Sequence, residues 1–219
     1  MLGTYLLVFL GPGAVVAASL LGLSQAEALL LVAAVFGGTV AGVILILGRI
    51  SGANINPAVT VGSTLAGVSR RDLFVPYLVF QAAGGLLAGL SLRVVYGSLG
   101  SPADLGSTKL AVGLSPLVAV ALEMAGTFVL VTAALTAASF LRSTERQAVL
   151  VGGTLFALIL LVGPLTGASF NPARSLGPSL FSGYFDDQLV YYVGPILGGA
   201  VAGLIFREAR KTLGRRTET

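Results

Sequence analysis

Residues Ser51-Gly-Ala-Asn-Ile-Asn-Pro-Ala-Val-Thr-Val-Gly62 align with Thr166-Gly-Ala-Ser-Phe-Asn-Pro-Ala-Arg-Ser-Leu-Gly177 at a constant offset of 115. In each copy Asn-Pro-Ala reads as a helix start, because asparagine is a preferred N-cap and proline suits the first helical position. The segments opened by these starts run roughly from Asn56 to Val68 and from Asn171 to Phe181. They are too short to cross a bilayer and too apolar for ordinary loops. They read as re-entrant half-helices, which a membrane tolerates only where protein buries them or a water-filled cavity runs alongside.

Outward from these segments the chain is built for lipid. Of 219 residues, 55% are hydrophobic and 10% charged, with a mean hydropathy of +0.95, whereas an average soluble protein is roughly a quarter charged. Six stretches approach the ~20 residues of a membrane helix: Leu2 to Leu21, Ala28 to Leu47, Leu73 to Val95, Pro116 to Ala138, Ala148 to Leu165 and Leu189 to Phe206. The repeat extends into them. Gly84, Gly85, Ala88 and Gly89 match Gly198, Gly199, Ala202 and Gly203 at an offset of 114, and Gly3-Thr4 matches Gly126-Thr127 at 123.

A duplicated unit of three spans must insert its copies in opposite directions. The expected fold is therefore all-α and membrane-integral, with six transmembrane helices plus two re-entrant half-helices in an inverted repeat, which puts a functional site near the midplane. One channel domain covers residues 1–219, divided into repeat one (1–96), a connecting loop (97–115), repeat two (116–206) and a cytoplasmic tail (207–219). Thirty glycines suit close helix crossings. The pairs Gly38/Gly42, Gly85/Gly89 and Gly199/Gly203 form small-xxx-small faces. Pro12 is expected to kink the first span.

The chain has no cysteine and no histidine, which removes disulfides, a thiolate nucleophile and the commonest metal ligand and general base. No enzyme activity, metal or cofactor is expected. The net charge of +4 does not mark a nucleic-acid binder, because the basic residues are not interleaved with aromatics. Arg49, Arg70, Arg71, Arg142, Arg146, Arg207, Arg210, Lys211, Arg215 and Arg216 fall on one side of the six-span layout, and only Arg93 and Lys109 on the other. The positive-inside rule then makes both termini cytoplasmic, with membrane lipid as a partner and the cell (plasma) membrane as the expected location. A signal peptide is not expected, since no basic residue precedes the apolar run from Met1 to Leu10.

In an inverted repeat the two Asn-Pro-Ala starts meet head to head, so their positive dipole ends converge and disfavour cations. Each asparagine can cap its own helix with its carbonyl oxygen and keep its amide free to donate. Two such donors can hold one water oxygen from the wall and interrupt a proton-conducting chain of waters. The bland alternative is two capped helices in a packed core. Arg174 follows the second motif at membrane depth, where a cation opposes the helix dipole and burial is costly. It reads as the cation-excluding donor of a constriction, or alternatively as a brace for loop carbonyls. Its repeat mate is Val59, which confines the constriction to one side.

The two Asn-Pro-Ala motifs, Ser51-Gly52-Ala53, Thr166-Gly167-Ala168, Arg174-Ser175, Gln81 and Gly194-Pro195 together resemble the aquaporins of the major intrinsic protein family, over essentially the whole chain. The resemblance implies a passive channel for water and small neutral solutes that excludes protons and ions, assembled as a homotetramer. The pore motifs would be Asn56, Pro57, Ala58, Asn171, Pro172 and Ala173. Around Arg174 the family places a selectivity filter that falls on Phe36, Ile159 and Ala168. Water-selective members usually carry histidine at the position of Ile159, so this ring is less polar, which admits glycerol, urea or another small neutral solute. Ser175 and Tyr191-Tyr192 follow the water-channel pattern instead, and Asn54 replaces a common histidine that could titrate.

Glu123 resembles the buried glutamate that braces a re-entrant loop; its repeat mate would fall just before Met1. Gln81 reads as a satisfied buried polar group. A glycerol or small-solute facilitator is the alternative within the family. From another class, a coupled secondary transporter shares broken helices and inverted repeats, but it needs a titratable relay and Glu123 alone lies well inside a span.

Overall fold

A computed structural model describes residues 1–216, with side chains described to Thr212. It contains six long helices, α1 (Leu2–Leu20), α2 (Gln25–Ser51), α4 (Phe74–Tyr96), α5 (Pro116–Phe140), α6 (Thr144–Thr166) and α8 (Val190–Arg216), and two short ones, α3 (Pro57–Leu65) and α7 (Pro172–Ser182). All six long helices are apolar enough to span a membrane. No strand occurs among the described residues. Leu45, Ile46, Val94, Val149 and Leu161 are among the large apolar side chains left on the outside, as a lipid-facing surface requires.

Local chemistry sets the helix ends. Ser24 opens α2 through a capping box with Glu27, and Ser143 accepts from the Arg146 N–H to open α6. Asparagine caps both half-helices, with proline at the first position. At the other end, α2 and α6 both stop at a left-handed glycine, Gly52 at φ 68° and Gly167 at φ 76°. Ala53 and Ala168 continue the left-handed turn at 49° and 47°, so the chain reverses the same way in both halves.

The halves interlock. The half-helix of each repeat packs on the last span of the other, α3 on α8 and α7 on α4. These crossings need glycine. A Cβ on Gly62 would stand 2.7 Å from the Gly199 carbonyl oxygen, one on Gly85 would meet the Ala173 carbonyl, and Gly89 and Gly177 face each other's backbones with no room for a methyl group. A third close crossing joins α2 to α6, where a Cβ on Gly37 or Gly152 would lie 2.7 or 2.6 Å from the other's carbonyl oxygen. Gly38 and Gly42, in contrast, have no neighbour within 4 Å, so this pair makes no crossing within the chain.

Two segments differ from the reading of the sequence. The connection at 97–115 is not an open loop, because Gly97–Gly106 forms a 3-10 stretch broken at Asp104 and Leu105, with φ of 42° and 53°. Leu105 is buried and anchors it to the body. Pro12 lies inside α1, and Gly106 packs on its backbone. Residues 207–216 continue α8 as helix rather than starting a separate tail; the side chains of Arg215 and Arg216, and residues 217–219, lie outside the described residues.

Candidate pore

Two stripes at four-residue spacing, apolar except for Gln147, line a cavity of about 350 Å³. Phe36, Val40, Ile44 and Gly48 come from α2, and Gln147, Val151 and Leu155 from α6. A four-residue step keeps side chains on one helix face, so each helix offers the cavity a single smooth wall. Beside Tyr77 of α4 and Gln147 of α6, the polar part of the lining comes from the two loops and half-helices, with Asn54, Asn56, Asn171, Ser63 and Arg174 on it. Among the described residues no carboxylate lines the cavity.

The two Asn-Pro-Ala starts meet there. Asn56 Oδ1 accepts from the Ala58 N–H at 2.8 Å and Asn171 Oδ1 from the Ala173 N–H at 3.0 Å, which fixes both amides by capping. Each amide also reaches across the repeat boundary: Asn56 Nδ2 donates to the Phe170 carbonyl at 2.8 Å and Asn171 Nδ2 to the Ile55 carbonyl at 3.3 Å. The expected free NH2 groups are therefore half committed. One N–H per asparagine is tied to the opposite loop, and one remains to donate.

Arg174 is 3% exposed, and its Nη1 donates to the Gly106 carbonyl at 2.9 Å. Its guanidinium lies 5.1 Å from the centre of the Phe36 ring, a cation–π distance. Nε has no partner among the described residues. The arginine is thus braced from one side with donors to spare. Phe36 is seated by α1, where Gly11 leaves no space between its backbone and the ring. Ala168 lines the cavity beside Arg174. Ile159 follows Leu155 on the same stripe and is buried in one cluster with Phe36 and Ala168, but it forms no part of this cavity's wall.

Sequence reasoning missed the hydroxyl ladder behind α7. Thr108 Oγ1 and Ser175 Oγ are 3.0 Å apart, Ser175 Oγ and Ser169 Oγ 2.6 Å, and Ser169 Oγ donates to the Asn171 carbonyl at 3.0 Å. Ser107 adds a 3.1 Å contact to Ser182. The connecting segment therefore clamps the half-helix that carries Arg174. Its run of serine and threonine was visible in the sequence, but composition alone does not say which helix such hydroxyls meet.

Glu123 is fully buried. Its Oε1 accepts from Thr166 Oγ1 at 2.6 Å and from the Ser169 N–H at 3.0 Å, and its Oε2 from the Phe170 N–H at 2.7 Å. Tyr191 Oη donates to the Thr166 carbonyl at 2.8 Å. The second loop is thereby held by a carboxylate that is not itself part of the cavity wall. Gln81 is likewise saturated, donating to the Asn54 carbonyl at 2.9 Å and to Thr60 Oγ1 at 2.8 Å.

The family model described as major intrinsic protein matches residues 1–206. The chain belongs to the major intrinsic protein family. Among its relatives, aquaporin NIP1-2 of Oryza sativa subsp. japonica is 37% identical over 97% of this chain and 71% of its own length. Aquaporin TIP2-1 of Arabidopsis thaliana is 35% identical over 94% of this chain and 83% of its own. The crystal structure of the aquaglyceroporin from Plasmodium falciparum shares the fold, with a TM-score of 0.80 over 94% of this chain and 90% of that one, at 23% identity. Proteins of the major intrinsic protein family are passive channels, so this one is a membrane channel for water or small solutes and not an enzyme.

Proposed function

We propose that the chain conducts water and small uncharged solutes such as glycerol through the cavity that α2 and α6 line together with the two half-helices, and excludes protons and ions. The observation that carries this reading is the head-to-head pair of capped asparagines, each with one N–H to spare. Donors on the wall and converging helix dipoles orient a water oxygen towards the asparagines and turn its hydrogens outward, so no proton can be relayed through it. In pores of this type selectivity comes from diameter, lining donors and an arginine or half-helix barrier. Arg174 at 5.1 Å from the Phe36 ring fits that barrier.

Breadth toward glycerol rests on the lining. Phe36, Val40, Ile44, Val151 and Leu155 suit a carbon backbone, while Asn56, Asn171 and Arg174 suit hydroxyls on its other face. A coupled transporter would use titratable groups along its path, and a wall without a carboxylate speaks against it. The remaining parts of the reading are orientation and assembly. Both termini lie on the basic, cytoplasmic side of the cell membrane, and four chains assemble as a homotetramer with one pore each.

Proteoliposomes given an inward glycerol gradient test the breadth. They should reswell after the initial shrinkage faster than empty liposomes, and an Arg174→Val variant should reswell faster still while its water permeability is kept. Absence of glycerol-driven reswelling would restrict the channel to water.

A further inference from the structure

One end of the cavity opens between the end of α2, at Gly48 and Gly52, and the first turn of α6, at Gln147. Tyr77 belongs to this end, its Oη donating to the Ser51 carbonyl at 2.8 Å as the Tyr191 Oη does to the Thr166 carbonyl. Arginine stands next to the lining residues. Arg49 follows Gly48, Arg146 precedes Gln147, and Arg142 sits in the short connection between α5 and α6. All three are exposed. The segments that carry them touch: a Cβ on Gly48 would meet the Thr144 side chain at 3.7 Å, and Arg49 comes near enough to Glu145 for their charges to interact.

None of the three arginines makes an ion pair among the described residues, whereas Arg70 is taken by Asp72 at 2.6 Å. Glu145 Oε2 instead accepts from Ser143 Oγ at 2.5 Å. The positive-inside rule asks for basic residues anywhere on this face. It does not ask for three without ion pairs around one opening, and an uncharged solute has no use for them. Arginine presents a planar fork of donors that suits phosphate oxygens, and three of them against one carboxylate leave positive charge in excess. We infer that Arg49, Arg142 and Arg146 form a phosphate site at this mouth, filled by the phosphate of an anionic lipid headgroup or by a small free phosphate. The site rests on the function proposed above only in that this side is the cytoplasmic one, and its test involves no transport.

Thermal midpoints of the full chain in neutral detergent micelles, at low ionic strength where screening is weakest, test this by the stabilisation that a bound ligand confers. Sodium pyrophosphate and short-chain phosphatidylglycerol are titrated separately, each against sodium chloride and short-chain phosphatidylcholine. A mouth variant (Arg49→Gln, Arg142→Gln, Arg146→Gln) is compared with an α8 variant that loses equal charge (Arg207→Gln, Arg210→Gln, Lys211→Gln). The apparent affinity should fall about thirtyfold in the mouth variant, as loss of charged hydrogen bonds implies, and by no more than about twofold in the α8 variant, which acts only through screened charge. Arg146→Gln against Arg210→Gln repeats the comparison if a triple variant does not fold, with an expected loss of about fivefold for Arg146→Gln. Saturable stabilisation by pyrophosphate, lost in the mouth variant, supports the site with a free phosphate. Stabilisation by phosphatidylglycerol and not by pyrophosphate, lost in the same way, supports it with a headgroup. No saturable shift with either ligand, or equal losses in the mouth and α8 variants, overturns the proposal.

Discussion

At the scale of single residues, the site depends on atoms whose partners are fixed by neighbours far away in sequence. Arg174 is oriented by the Gly106 carbonyl and by the Phe36 ring, and Phe36 is oriented by the missing side chain of Gly11. Gly11→Ala should push the ring toward the cavity and lower the glycerol-to-water permeability ratio, as read by stopped-flow light scattering; an unchanged ratio would remove Phe36 from the constriction. Glu123→Gln keeps the shape but turns an NH2 toward the Phe170 N–H or takes the acceptor from Thr166 and Ser169. A buried donor left unpaired costs about 1–3 kcal/mol, so the thermal midpoint in micelles should fall clearly, and an equal midpoint would contradict the bracing role. Asn56, Asn171, Arg174 and Glu123 were legible in the sequence because each breaks a local rule or repeats a helix-start signal. Gly11, Gly106 and the Thr108–Ser175–Ser169 ladder were not, because a glycine or a serine announces neither its contact nor its partner.

At the scale of elements, the fold rests on helix pairs that only glycine allows. Six spans and two half-helices were readable from hydropathy and from the duplicated motif, and the observed ends differ from that reading mainly by capped extra turns, as with Ser24 opening α2. What no pattern in one chain reveals is that α3 packs on α8 and α7 on α4, since hydropathy gives spans without giving neighbours. The same limitation explains why Gly38/Gly42 looks like Gly85/Gly89 in sequence yet meets nothing within 4 Å. The two classes should separate experimentally. Gly62→Val forces a branched side chain against the Gly199 carbonyl and should lower stability by more than the ~1–3 kcal/mol typical of overpacking. Gly38→Ala adds no clash and gains up to about 1 kcal/mol of helix propensity. Thermal midpoints of the two variants check this, and equal losses would contradict the crossings.

At the scale of the whole molecule, inversion of the repeat accounts for both the shared and the unshared features. Shared features, the asparagine caps, left-handed turns and tyrosine braces, build a symmetric middle where two helix starts meet. Unshared ones set the differences, with Arg174 standing opposite Val59 and Glu123 holding one loop alone. With a donor from each asparagine turned to the same water, this middle should pass water without passing protons. This is tested most directly in proteoliposomes loaded with a pH-sensitive dye and subjected to an osmotic step, so that shrinkage and internal pH are followed in the same vesicles. Shrinkage should be faster than in empty liposomes, with proton leakage no greater than theirs under an imposed pH gradient. Equal shrinkage rates, or a proton flux that rises with the water flux, would contradict it.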